Sequence, residues 1–162
     1  MNVTFIGHGY VGLVTAAVFA DFGNEVFVIG HTKKKIEDLK RGIVPFYEPG
    51  LSELVKKNIE AKRLTFTLDY VPAIPGSDVV FIAVGTPPTK TGDADLSIVL
   101  SVAEKIGRNL EGYTVVATKS TVPTGTNKKV QRILDESKPN GAEVDYASVP
   151  EFLREGSAVS DT

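Results

Sequence analysis

No cysteine occurs among the 162 residues. That absence excludes a disulfide framework, a thiolate metal site and any cysteine nucleophile supplied by this chain. No sign of charge dominates: 18 Lys and Arg stand against 20 Asp and Glu, a net charge of −2. This balance gives no electrostatic case for binding nucleic acid or an anionic membrane. Long hydrophobic runs are also missing. The opening Asn2-Val3-Thr4-Phe5-Ile6 is far too short to span a bilayer, and no basic segment or cleavage pattern accompanies it. A cytoplasmic protein is the expectation. What remains is globular: 42% hydrophobic and 23% charged residues, without repeats, low-complexity tracts or linkers. The length suits one domain that buries about two-thirds of its unfolded surface and needs no structural metal to fold.

Short β-branched runs alternate with longer helix-spaced segments. Val3 to Ile6, Glu25 to Ile29, Leu64 to Leu68, Val79 to Val84 and Thr114 to Thr118 read as strands, and Tyr146 to Val149 as a weaker one. Helical spacing runs over Val11 to Phe22, Thr32 to Arg41, Leu51 to Ala61, Leu96 to Leu110 and Asn127 to Ser137. In the fourth helix Leu96, Val99, Leu100, Val102, Ala103 and Ile106 share a face, and Glu104, Lys105 and Arg108 lie off it. Such alternation predicts an α/β fold of the Rossmann-like, doubly wound kind, with a mostly parallel sheet and helices on both faces. Its ligand crevice would lie at the carboxyl ends of the strands.

Gly7-His8-Gly9-Tyr10-Val11-Gly12 follows the first strand and opens the first helix. Three spaced glycines alone mean little in a chain with 15. Here a strand precedes them, an apolar helix follows, and a second strand arrives within about 30 residues, the context of a dinucleotide-binding turn. Gly7 allows the tight turn, Gly9 lets a pyrophosphate approach the backbone, and Gly12 permits close packing of helix on strand. The helix N-terminus adds free N–H groups and partial positive charge. His8 has no role in that scheme and reads as a loop-facing side chain.

The second strand departs from the pattern. NAD-binding folds place Asp or Glu at its end, on the adenosine ribose hydroxyls. Here Val28-Ile29 runs into Gly30-His31-Thr32-Lys33-Lys34-Lys35. One reading is a shift toward NADP, whose 2′-phosphate a hydroxyl and lysines can receive. The other is a lost contact beside solvated lysines. Restoring the acid by Gly30→Asp should raise NAD affinity if its loss weakens binding.

Several further segments occur in order: Pro45-Phe46-Tyr47-Glu48-Pro49-Gly50-Leu51, Gly85-Thr86-Pro87-Pro88, Ala94-Asp95-Leu96-Ser97, Lys119-Ser120-Thr121-Val122-Pro123 and Pro150-Glu151-Phe152-Leu153-Arg154-Glu155-Gly156. With the glycine turn, they make the chain resemble, end to end, the N-terminal NAD-binding domain of the UDP-glucose/GDP-mannose dehydrogenase family. Ala94 to Ser97 is more similar to the UDP-glucose members than to the GDP-mannose ones. The resemblance implies NAD as cofactor, with NADP as the alternative that Gly30 raises. It implies cofactor contacts at Gly7, His8, Gly9, Tyr10, Val11, Gly12, Gly30, Lys35, Thr86, Ser120, Thr121 and Glu155. It places Glu151, Phe152, Leu153, Arg154 and Glu155 at the edge of the nucleotide-sugar pocket, and Thr121 and Glu151 in the catalytic machinery. Glu151 suits acid/base work, being a carboxylate at the crevice with Phe152 beside it to exclude water; without the family it would read as a solvated carboxylate. His8, Gly30 and Val149 depart from the family pattern, the last standing where an asparagine is expected.

The family oxidises a sugar's primary alcohol to a carboxylate in two hydride transfers, holding the intermediate aldehyde on a cysteine thiolate. By similarity, that cysteine belongs to a central helix and C-terminal UDP-sugar domain, and neither is expected within residues 1–162. The chain is therefore expected to be one dinucleotide-binding domain, monomeric as it stands and inactive alone, with dimers formed by longer family members. Alternatives are a non-catalytic dinucleotide-binding module, a dehydrogenase of GDP-mannose or UDP-N-acetylmannosamine, or a small NADP reductase of another family.

Overall fold

A computed structural model describes residues 1–162. Its centre is β1 (Asn2–Ile6), which runs parallel to β2 (Glu25–Ile29) on one side and to β4 (Val79–Ile82) on the other. Beyond them lie β3 (Leu64–Thr67), then β5 (Tyr113–Thr118) and β6 (Glu143–Ser148). The sheet order is β3-β2-β1-β4-β5-β6, and every pairing is parallel. The chain thus winds outward from β1 in one direction, then restarts at β4 and winds in the other. The switch point falls between the carboxyl ends of β1 and β4, where such sheets open a crevice.

Alternation along β1 divides the core. Val3 and Phe5 face α1 (Tyr10–Asp21), α2 (Lys33–Lys40) and α3 (Leu51–Glu60). Ile6 joins Val80, Ile82 and Val116 under α4 (Ser97–Arg108) and α5 (Thr126–Ser137). Phe5 stacks on Phe81 with ring centroids 4.8 Å apart and meets Phe19 edge-on at 5.5 Å. Such pairs add direction to burial. Helix α1 is apolar nearly all round because it lies between the sheet and α3, with the short α6 (Ala158–Asp161) against it.

The fold agrees with the doubly wound expectation, and the differences are local. Strand β6 starts at Glu143 rather than Tyr146. It is an edge strand whose Glu143 and Asp145 are exposed, so its first half carries no apolar run. Strand β4 ends at Ile82, and the chain then leaves the sheet toward the crevice. Helix α6 is one turn long and leaves no periodicity to read.

Candidate functional site

The glycine turn closes by steric necessity. Gly7 has φ +124°, and a Cβ there would stand 2.2 Å from the Ala83 carbonyl oxygen. A Cβ on Gly12 would stand 2.2 Å from the Gly7 carbonyl oxygen. These two glycines are demanded by the fold itself. Gly9 is not: nothing lies within 4 Å of the place its Cβ would take. It is the N-cap of α1, which has neither a side-chain cap nor an acidic residue in its first turn. The N–H groups there remain available to an anion.

This turn opens into a cavity of about 680 Å³. Gly7, His8, Gly9, Gly30, His31 and Lys35 form one end. Tyr70 and α4 residues Ile98, Ser101 and Lys105 form another, with the Lys105 ammonium 5.7 Å from the centre of the Tyr70 ring. Four basic side chains line the cavity and no carboxylate does. The residues fit a dinucleotide: open space at Gly9, unpaired helix N–H groups and a lining with basic side chains and no carboxylate. Tyr70, Ile98 and Ser101 escaped sequence reasoning, which had no local signal for them. Lys105 was visible only as a residue off the apolar face.

His8 is not the loop-facing side chain expected. It is 6% exposed, its Nδ1 has no hydrogen-bond partner, and its ring lies 5.0 Å from that of His31. Burial, with the charges of His31 and Lys35, lowers its pKa below the ordinary histidine value.

Thr86, Ser120, Thr121, Glu151 and Glu155 lie outside this cavity, on the segments that follow β4, β5 and β6. The first three are tied together. Thr86 Oγ1 donates to the Thr121 carbonyl at 2.9 Å, and Ser120 Oγ donates to the Val84 carbonyl at 2.6 Å. Glu151 is half-buried, and its Oε2 accepts the Leu153 N–H at 2.8 Å. Lys119 is half-buried too; burial lowers its pKa, and the Glu151 carboxylate works against that shift. Phe152 is 85% exposed, so it does not shield Glu151 within this chain. Leu153 packs into the core beside α1, and Val149 is exposed at the end of β6. Arg154 is engaged by Asp161, with Nε and Nη2 on the two carboxylate oxygens at 3.0 and 2.7 Å.

Glu48, present in a quoted motif but given no role, holds this terminal segment. The buried carboxylate accepts the Tyr10 hydroxyl at 2.7 Å and the N–H groups of Gly156 and Ala158, each at 2.8 Å. Burial works to raise its pKa, but the hydrogen bonds from Gly156, Tyr10 and Ala158 outweigh it and hold the group below the ordinary 4.5. Burial and the same carboxylate push Tyr10 up to about 12. Asp161 is held at about 2, chiefly by Arg154. Carboxylates held below their unfolded values stabilise above those values and lose that contribution as pH falls through the folded ones. Acidification from pH 4.5 toward 2 should therefore free residues 154–161 before the sheet melts. Amide exchange at Gly156 and Ala158 should accelerate in that window, and Glu48→Gln should flatten the response. An unchanged profile in the variant would remove Glu48 from the explanation.

An all-parallel sheet with this strand order, a glycine turn at its switch point and an acid-free cavity beyond it define a dinucleotide-binding domain of the Rossmann type. Its family follows from comparison. The chain belongs to the UDP-glucose/GDP-mannose dehydrogenase family, whose NAD-binding-domain model matches residues 1–162. It is 51% identical over 161 residues to a UDP-glucose 6-dehydrogenase of Bacillus subtilis, covering 99% of this chain and 35% of that protein. A UDP-glucose dehydrogenase structure from Pyrobaculum islandicum superposes with a TM-score of 0.93 at 40% identity, over 98% of this chain and 38% of that one. A GDP-mannose dehydrogenase structure from Pseudomonas aeruginosa gives 0.93 at 36% identity, over 99% and 38%. The chain thus spans little more than a third of these relatives. No helix is long and apolar enough to cross a membrane.

Proposed function

We propose that residues 1–162 form the cofactor-binding part of a nucleotide-sugar dehydrogenase that oxidises UDP-glucose to UDP-glucuronate. The observation that carries this reading is the open space at Gly9, facing uncapped helix N–H groups and a cavity lined only by basic charge. A bound nicotinamide supplies the hydride acceptor. The chain's own residues do the rest of what this part can do. Gly9 and the first turn of α1 hold the pyrophosphate, and Lys35 attends the adenosine ribose. The bond from the Thr86 hydroxyl to the Thr121 carbonyl fixes the segments after β4 and β5 against each other, and the Thr121 hydroxyl positions the reacting alcohol. Glu151 takes up and returns protons there, beside Lys119. The second oxidation needs a nucleophile to hold the aldehyde. With no cysteine in these residues, that group comes from another part of the enzyme.

Identity to UDP-glucose 6-dehydrogenases over nearly the whole chain favours UDP-glucose as the sugar nucleotide. Titration of the 162-residue chain tests each layer. A nicotinamide dinucleotide should bind, and UDP-glucose should perturb amide resonances at Glu151 to Glu155 more than GDP-mannose does. UDP-glucose with NAD or NADP should give no reduced cofactor from this chain alone. Stronger perturbation by GDP-mannose would overturn the substrate assignment, and turnover by the chain alone would overturn the need for a second part.

A further inference from the structure

Position 30 is closed to a side chain. A Cβ on Gly30 would meet Ile36 Cδ1 at 2.5 Å, Ile36 Cγ1 at 2.8 Å and His8 Nδ1 at 3.0 Å. Ile36 is held in the core and His8 is buried, so neither yields freely. The expectation that Gly30→Asp alone restores NAD binding is corrected on this ground: the new side chain collides before it can contact a ribose. No carboxylate lines the cavity elsewhere, and the exposed Lys35 ammonium can only donate. The hydroxyls of an adenosine ribose, which an acid at the end of β2 ordinarily receives, find no such acceptor here.

Recognition has another place to reside. The Gly30 N–H donates to the Thr67 carbonyl at the end of β3, and Tyr70 follows three residues later, lining the same cavity as Gly30. The Lys105 ammonium reaches this ring from α4. Ile98, Ser101, Val102 and Lys105, spaced i, i+3, i+4 and i+7, form one stripe of that helix, and all four line the cavity. The helix buries Val99, Ala103 and Ile106 in the core, yet Ile98 stays 45% exposed on the cavity side. An aromatic ring, an open aliphatic side chain and a cation suit a flat, electron-rich ring with acceptor nitrogens at its edge. Adenine is such a ring. Thr86, Thr121 and Glu151 lie outside this cavity, so the half of a dinucleotide held here is the half that does not react.

Resting on the dinucleotide reading above, we propose that this chain selects its cofactor by the adenine base, held by Tyr70, Ile98 and Lys105, and leaves the ribose hydroxyls unread. Tyr70 and Ile98 give the base apolar surface to lie against, and Lys105 donates to its edge. The glycine turn holds the diphosphate whatever the base, so discrimination falls to this wall.

Calorimetric titration of the 162-residue chain with ADP, 2′-deoxy-ADP, CDP and NADH separates base from sugar without any turnover. ADP and 2′-deoxy-ADP should bind within about 2-fold of each other, whereas a carboxylate reading the diol would make them differ by about 10-fold. CDP, which keeps ribose and diphosphate on a smaller ring, should bind about 10-fold more weakly than ADP. Tyr70→Leu and Lys105→Met should each lower the ADP-to-CDP ratio several-fold. Because Lys105 is exposed, Lys105→Met keeps the fold, and a general loss of stability would weaken both nucleotides alike. If 2′-deoxy-ADP binds about 10-fold more weakly than ADP, or if the ADP-to-CDP ratio is near one or untouched by both substitutions, selection by the base is overturned and the dinucleotide reading stands. Binding of neither NADH nor ADP would overturn both.

Discussion

Gly12→Ala should destabilise the domain by about 2 kcal/mol or more, although alanine is the better helix former. In an ordinary helix interior the exchange gains about 1 kcal/mol. Here the added Cβ falls 2.2 Å from the Gly7 carbonyl oxygen, with the Ala83 Cβ at 3.3 Å behind it. The obstacle is backbone, pinned between β1 and β4, so the clash cannot be relieved by turning a side chain. Overpacking of this kind costs about 1–3 kcal/mol and sometimes more, which exceeds the propensity gain. Urea unfolding of the variant should show a lower midpoint with an unchanged slope. A midpoint equal to or above that of the parent would mean that α1 stands farther from β1 than described.

Gly9→Val should do the opposite: leave stability nearly unchanged and weaken dinucleotide binding by about 100-fold. Gly9 has extended backbone angles, φ −78° and ψ −172°, which a β-branched residue adopts readily. No protein atom lies within 4 Å of the new Cβ. On the function proposed above, the space is instead where a pyrophosphate comes against the first turn of α1. Losing two charge-assisted hydrogen bonds of about 1.5 kcal/mol each gives the factor of about 100. Thermal melting and ligand titration on the same sample separate the two effects. Unimpaired binding in this variant would place the dinucleotide somewhere other than this turn. The motif thus divides into two glycines required by the fold and one, Gly9, that the fold leaves free and the proposed function uses.

The alternation of apolar strands with helix-spaced segments made the sheet legible, since each period reports its own burial. Where burial is one-sided, as at β6, the pattern shortens and the strand's start is misread. The glycine turn was legible because its chemistry is local, contained in six consecutive residues. The relation between His8 and Gly30 was not. It joins the ends of two adjacent strands through a missing Cβ, and sequence shows only an odd histidine and an absent acid. Phe152 misled for a related reason: an aromatic beside a carboxylate says nothing about which way it faces. Glu48 was hidden by distance, because its partners Gly156 and Ala158 lie 108 and 110 residues along the chain.

That distance bears on the order in which the domain assembles. Contacts within α1 and between β1 and β2, which α1 joins directly, close short loops and can form early, whereas closing a loop of more than a hundred residues carries a larger entropic cost and awaits a framework. The two N–H groups that Glu48 receives can arrive only after α1 and the segment before α3 have settled against the sheet. The stretch bearing Glu151 and Glu155 should thus be the last to gain protection during refolding, so that the crevice is finished only on a domain whose cofactor turn already stands.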